Sequence, residues 1–453
     1  MKTTSMTEGN ILKQILLFTF PLLLGNIFQQ LYNTVDVIVV GRYVGKEALA
    51  AVGASSPIIT MLVGFFTGLS TGASAVIAQF YGSGDVIKLR RAIHTSFFLT
   101  IILSVLFTII GVLGSPYILE LIDVPPEVFT DAVVYLRIYF FGIAGVLIYN
   151  MTAAVLRAVG DSKRPLYFLC FASLLNVVLD IVFVVVLGMG ISGVAWATFI
   201  SQALSAALCV ILLIKTDGLV LKEIKNTPEI SRMILAIGFP GGLQQLVTAF
   251  SNVMVQAYIN QFGAAAIAGY SAYLKIDSFY ILPMQSISLA LVTYVGQNAG
   301  AGKIRRAREG VKISAVIAVI FNISTCVLAL MFGAQILSIF SPDPEVIEYG
   351  NICIKMLMPL YFTLTIALVY AGAMRGFGEA VVPMMVMIGG FVVLRQIYLF
   401  AVSKIDFSFA MVQVCYPFTW VFTAIFMYAF YKKGKWSKKF NQIEEKEEIL
   451  GKN

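Results

Sequence analysis

The sequence is short of charge. Asp, Glu, Lys and Arg make up 12% of its 453 residues, about half the share in a typical soluble domain. A soluble enzyme is therefore not expected. Histidine is nearly absent: the one copy, His94, follows the basic run KLRR and reads as an interfacial structural group. The five cysteines (Cys170, Cys209, Cys326, Cys353 and Cys415) all fall in apolar runs, and none forms a CxxC pair. With one histidine and no clustered thiols, neither a catalytic metal centre nor a disulfide framework is expected. No nucleophile–base constellation stands out, so the chain reads as a non-enzyme without a cofactor. The polar start MKTTSMTEGN does not look like a cleavable signal, and the long first apolar segment should stay in place.

Apolar length is what the chain has instead. Hydrophobic residues make up 59% of it, and the mean hydropathy is +0.88. Runs long enough to cross a bilayer recur from end to end. Hydropathy and length predict about twelve spans, at residues 11–41, 48–79, 90–114, 127–156, 165–187, 190–214, 232–261, 265–297, 306–333, 345–374, 381–403 and 407–431.

Charge in the connections tests that count. Alternate loops hold Lys88, Arg90 and Arg91; Arg157, Lys163 and Arg164; Lys215, Lys222, Lys225 and Arg232; then Lys303, Arg305, Arg306, Arg308 and Lys312; then Arg375. The tail adds Lys432, Lys433, Lys435, Lys438 and Lys439, whereas the opposite loops hold only Arg42, Lys46 and Lys404. By the positive-inside rule the basic set is cytoplasmic, both termini lie inside, and the chain belongs in the plasma membrane. The net charge of +8 is then a topology signal, and no nucleic-acid partner is needed to explain it.

The two halves repeat. A shift of 218 residues carries GKEALAAVG at Gly45 onto GAAAIAGYS at Gly263, AQFYGSGDVIKLRR onto GQNAGAGKIRRARE, and LRAVGDSKRP onto MRGFGEAVVP. Near the start the register slips by one, where Pro21 pairs with Pro240. Six spans per repeat return the chain to its starting side, so both repeats share one orientation. The expected fold is an all-α integral membrane protein. Its two six-helix bundles are related by a pseudo-two-fold axis along the membrane normal. The expected parts are an N-terminal lobe at 1–218, a cytoplasmic linker at 219–230, a C-terminal lobe at 231–433 and a charged tail at 434–453.

Charges inside the spans are few. No charged residue occurs from Gln14 to Val35, and Asp36 then interrupts YNTVDVIVVGR. Gln29, Asn33 and Asp36 share a helical face. From Pro165 to Ile214 the one charged residue is Asp180, with Asn176 a turn before it. A carboxylate in low dielectric holds a proton or finds a cation, or it ties helices together by hydrogen bonds. The second half does not repeat these acids: Met254 stands opposite Asp36 and Tyr398 opposite Asp180. It carries its own charges, Lys275, Asp277 and Arg395. Asp277 and Arg395 could pair between helices or face a substrate. Gln245, Thr248 and Asn252 recur at roughly helical spacing. Together with Gln29, Asn33, Asp277, Met284 and Arg395 they form the candidate substrate cavity. The spacing of Gly64, Gly68 and Gly72 signals close helix packing.

These motifs make the chain resemble the multidrug and toxic compound extrusion (MATE) transporters over nearly its full length. The likeness rests on VDVIVVGRYVGKEALAAVG, AQFYGSGD, LRAVGDSKRP, NVVLD and GVAWATFISQ in the first half, and on IAGYSAYLKIDSF, VGQNAGAGKIRRA and MRGFGEAVVP in the second. The resemblance implies export of organic cations and other amphipathic compounds by a monomer in the lipid bilayer, driven by inward H+ or Na+. It also implies a cation site, a proton or Na+ site, made by Asp36, Asn176, Asp180 and Thr198. One branch of the family carries acids in spans 7 and 10, where this chain has Thr248 and Leu364. That departure favours the N-terminal lobe. A flippase for a lipid-linked amphipath is the alternative on the same architecture.

Overall fold

A lipid-embedded backbone has no water to bond, so each apolar run closes its hydrogen bonds within itself and becomes a helix. The computed structural model describes residues 5–216 and 218–433. The charged tail expected at 434–453 lies outside the described residues. Among the described residues, eleven helices are long and apolar enough to cross a membrane, and a bent pair makes twelve. They are α1 (Ile11–Val44), α2 (Lys46–Ser83), α3 (Val86–Leu121), α4 (Pro126–Phe141 with Ile143–Ala158), α5 (Lys163–Val186) and α6 (Gly190–Lys215). The second half supplies α7 (Pro228–Phe262), α8 (Ala264–Gly300), α9 (Ile304–Ser338), α10 (Pro344–Gly376), α11 (Val381–Ile405) and α12 (Phe409–Lys433).

Most helices run past their hydropathy limits. At 38 residues, α2 is about 57 Å long against a hydrocarbon layer of about 30 Å. Hydropathy marks where a chain leaves lipid, whereas a helix stops where its backbone is capped. The repeated motifs supply those caps. Gly160 and Gly378 take φ of 93° and 92°, values that suit glycine. Next to them, Asp161 accepts from the Lys163 and Arg164 amides at the start of α5. Glu379 does the same for Val381 and Val382 at α11. In AQFYGSGD, Gly84 ends α2 with φ 71°, and Asp85 accepts from the Lys88 amide to begin α3. That bond holds the Asp85 carboxyl below the usual carboxylate range.

Prolines mark some breaks but not all. A 3-10 turn at Met358–Leu360 holds Pro359, and α8 is interrupted before Pro283. Pro21, Pro57 and Pro240 lie inside continuous helices. The sharp bend, 44° in α4, has no proline. It falls at Gly142, where a Cβ would stand 2.5 Å from the Phe199 ring.

The helices group into two compact units. One comprises Phe20–Gly238; the other joins Met6–Thr19 to the chain from Phe239 onward. The divisions fall inside α1 and α7. In the second unit, residues 6–14 are tied to the α8–α9 turn. The Met6 amide donates to Gln297 Oε1, and Arg306 donates to Glu8 O at 3.0 Å and Gln14 Oε1 at 2.8 Å. In the first unit, the segment after α6 is tied to α3. His94 Nε2 accepts from the Val220 amide, and Arg90 pairs with Glu223 at 3.0 Å. His94 is thus a structural group, 3% exposed. Arg306→Ala should release residues 6–14. Hydrogen exchange there should rise at least about tenfold while α9 stays protected, as loss of charge-assisted bonds requires. Unchanged exchange would mean that the bonds from Gln297, Asn298 and Lys303 hold the segment without Arg306.

Candidate functional site

In the first unit, α1 and α5 carry their acids to one another. The Asp36 and Asp180 carboxyl groups lie within hydrogen-bonding range. Each acid precedes a π-helical turn, at Val40–Val44 and Ile181–Val186, and these two turns pack together. Such turns widen a helix and recur at functional sites. Asp180 is fully buried, Asn176 is 2% exposed and Asp36 is half-buried. Neither Asp180 oxygen finds a hydrogen-bond donor, nor does Asp36 Oδ1. The Asn176 amide is likewise without a partner at either atom. Buried polar atoms are normally satisfied, so this concentration is unusual. The groups offer carboxylate and amide oxygens, the donor chemistry of a proton or a hard monovalent cation.

Thr198, on α6, bonds to Val194 O at 3.1 Å in its own helix. One turn on, Gln202 Nε2 donates to Tyr32 Oη at 3.3 Å. Tyr32 also bonds Gln29 and feels the Asp36 charge. Tyr135, on α4, feels both carboxylates. Asn33, one residue round from Tyr32, is exposed. Tyr32 and Gln202 were legible after the fact: each stands four residues from a residue already singled out, Asp36 and Thr198. Tyr135 had no local signal, because only helix packing brings α4 to the acids.

The second unit keeps its charges apart. Arg395 and Asp277 do not form the interhelical pair their spacing allowed. Arg395, 2% exposed, donates to Asn252 Oδ1 at 2.9 Å and lies 4.5 Å over the Tyr416 ring. Asp277 accepts from Tyr273 Oη at 3.0 Å. Tyrosines fill the space between. Tyr416 and Tyr270 share a hydroxyl bond of 2.7 Å, and Tyr270 stacks on Tyr273. A planar guanidinium is held favourably by an aromatic face. Of the remaining candidates, Gln245 is exposed, Thr248 is half-buried with an unpartnered hydroxyl, and Met284 is buried. The residue missed on α7 is Gln244, which accepts from Arg375 at 2.6 Å.

Comparison with known proteins agrees with the repeat. The MatE family model matches twice, over residues 21–182 and 240–401. The Probable multidrug resistance protein YpnP of Bacillus subtilis is 29% identical, covering 96% of this chain and 98% of its own length. The Probable multidrug resistance protein YoeA of the same organism is 26% identical, with 96% of each covered. Among solved structures, an outward-facing multidrug resistance MATE family transporter of the MOP superfamily superposes with a TM-score of 0.91. It is 22% identical and covers 98% of this chain and 99% of that one. With both repeats matched and the fold shared from end to end, this multi-pass membrane protein belongs to the MATE family of transporters.

Proposed function

We propose that the protein is a secondary antiporter of the plasma membrane, with both termini cytoplasmic. It exports organic cations and other amphipathic compounds in exchange for H+ or Na+. The observation that carries this reading is the Asp36–Asp180 contact, in which buried carboxyl oxygens and the Asn176 amide lack partners. Two bare carboxylates in contact repel strongly in a low dielectric. A shared proton, or a Na+ held also by the Asn176 oxygen, removes that repulsion. Release of the ion restores it, so the empty and loaded sites favour different helix arrangements. Tyr32 and Tyr135 lie near enough to the pair to feel its charge. Alternating access by rocking of the two parallel repeats is the mechanism such a repeat suggests. A carboxylate pair of this kind favours small-ion coupling over the flippase reading. The names of the relatives support drug-like substrates.

Reconstitution in liposomes tests the reading. A Na+ gradient and a pH gradient are imposed separately, and efflux of a fluorescent organic cation is followed. One of the two should drive efflux above the rate in protein-free vesicles. Equal rates with and without either gradient would rule out secondary antiport.

A further inference from the structure

The second unit has an open surface groove of about 540 Å³ between α9, α10 and α12. Its walls include Val316, Ile320, Ile366 and Ile425. The polar wall residue Thr363 turns its hydroxyl onto Leu360 O. Drug pockets place a few polar groups at fixed points in an apolar wall. Between Thr363 and the tyrosines at one end the groove wall is apolar, which suits a flexible aliphatic chain.

One end of the groove is different. Tyr370 packs against Tyr428 at 5.3 Å and Tyr431 at 4.8 Å, and Lys432 Nζ lies 4.9 Å over the Tyr428 ring. Lys432 stands one turn beyond Tyr428 on α12. Lys312 stands one turn before Val316 on α9, and α9 runs antiparallel to α12. Both lysines therefore flank the same mouth. Neither takes part in the ion pairs of the described residues. An apolar trough that ends in tyrosines and two unneutralised lysines matches an acyl chain under an anionic headgroup.

The geometry points to a binding site for one anionic glycerophospholipid, with an acyl chain in the α9–α10–α12 groove and the headgroup phosphate at Lys312 and Lys432. Native mass spectrometry of the solubilised protein tests it, with dioleoyl phosphatidylglycerol and dioleoyl phosphatidylcholine supplied as an equimolar mixture. The wild-type protein should retain phosphatidylglycerol in preference. Lys312→Gln with Lys432→Gln should reduce that preference by about fivefold per lysine removed. The paired arginine replacements should keep it. Ala315→Trp, which fills the groove, should lower retention of both lipids. On the wild-type protein, raising salt before analysis should weaken the preference. The proposal is overturned if the glutamine pair behaves as wild type or the wild type shows no preference. It is also overturned if free glycerol 3-phosphate displaces the lipid as well as whole phosphatidylglycerol does, since the acyl groove would then contribute nothing.

Discussion

Asp36→Asn should leave the protein folded and bring ion-driven efflux down to the level of protein-free vesicles. The side chains are nearly the same size, so packing around α1 and α5 is kept. What changes is charge: the Asp36–Asp180 contact becomes an amide against a carboxyl, and the ion that had relieved the repulsion loses half of its counter-charge. Melting temperature should therefore hold or rise, because a buried like-charge contact is gone. If Na+ is the coupling ion, the wild-type protein should melt higher in NaCl than in choline chloride. The stabilisation is about 2.7 kcal/mol at a hundredfold excess over Kd, and Asp36→Asn should lose it. If H+ is the coupling ion, neither protein should show a Na+-specific shift. Asp180→Asn should behave alike. The opposite pattern, lowered melting with full coupled transport, would reduce both acids to helix-tying hydrogen-bond groups.

Gly72→Val is the second large effect, and it acts on folding. A Cβ at Gly72 would lie 2.4 Å from Gly238 N, 2.6 Å from its Cα and 2.7 Å from Ile234 O. These are backbone atoms, so no side chain can swing aside. α2 and the first turns of α7 would have to separate. Overpacking of a well-packed contact costs about 1–3 kcal/mol, and a clash with backbone lies at or above the upper end. The yield of monodisperse protein and its melting temperature should both fall sharply. Gly238→Ala should act in the same direction, since its Cβ would meet Leu69 Cα at 2.8 Å. Gly53→Val is the control: nothing lies within 4 Å of that Cβ position, and the variant should melt as wild type does. A Gly72→Val protein as stable as the control would mean that the two helices are not held in contact.

Gly72 also shows how far sequence reached. The spacing of Gly64, Gly68 and Gly72 announced a close approach, but not its partner. Gly238 is 166 positions away, in a stretch whose pattern says only that a span begins. Asp36 and Asp180 behave the same way. Each stood out in an apolar run, and it was the family resemblance, not the pattern of either run, that grouped them. For Arg395 and Asp277 the opposite charges suggested a pair, and packing put tyrosines between them. The bend at Gly142 carried no proline to announce it.

By itself the sequence determined the number and approximate places of the spans, their alternation of basic loops, the repeat and the identity of the intramembrane acids. Those properties are sums over a single segment: the cost of moving each side chain from water to lipid, and the local backbone rules that end a helix. Which side chains meet was decided by tertiary structure alone, because contact depends on ångström-scale crossing geometry between helices far apart in the chain. For the same reason the tertiary structure, and not the pattern, brought Tyr135 to the two acids and left Asp36 Oδ1 and both Asp180 oxygens without donors.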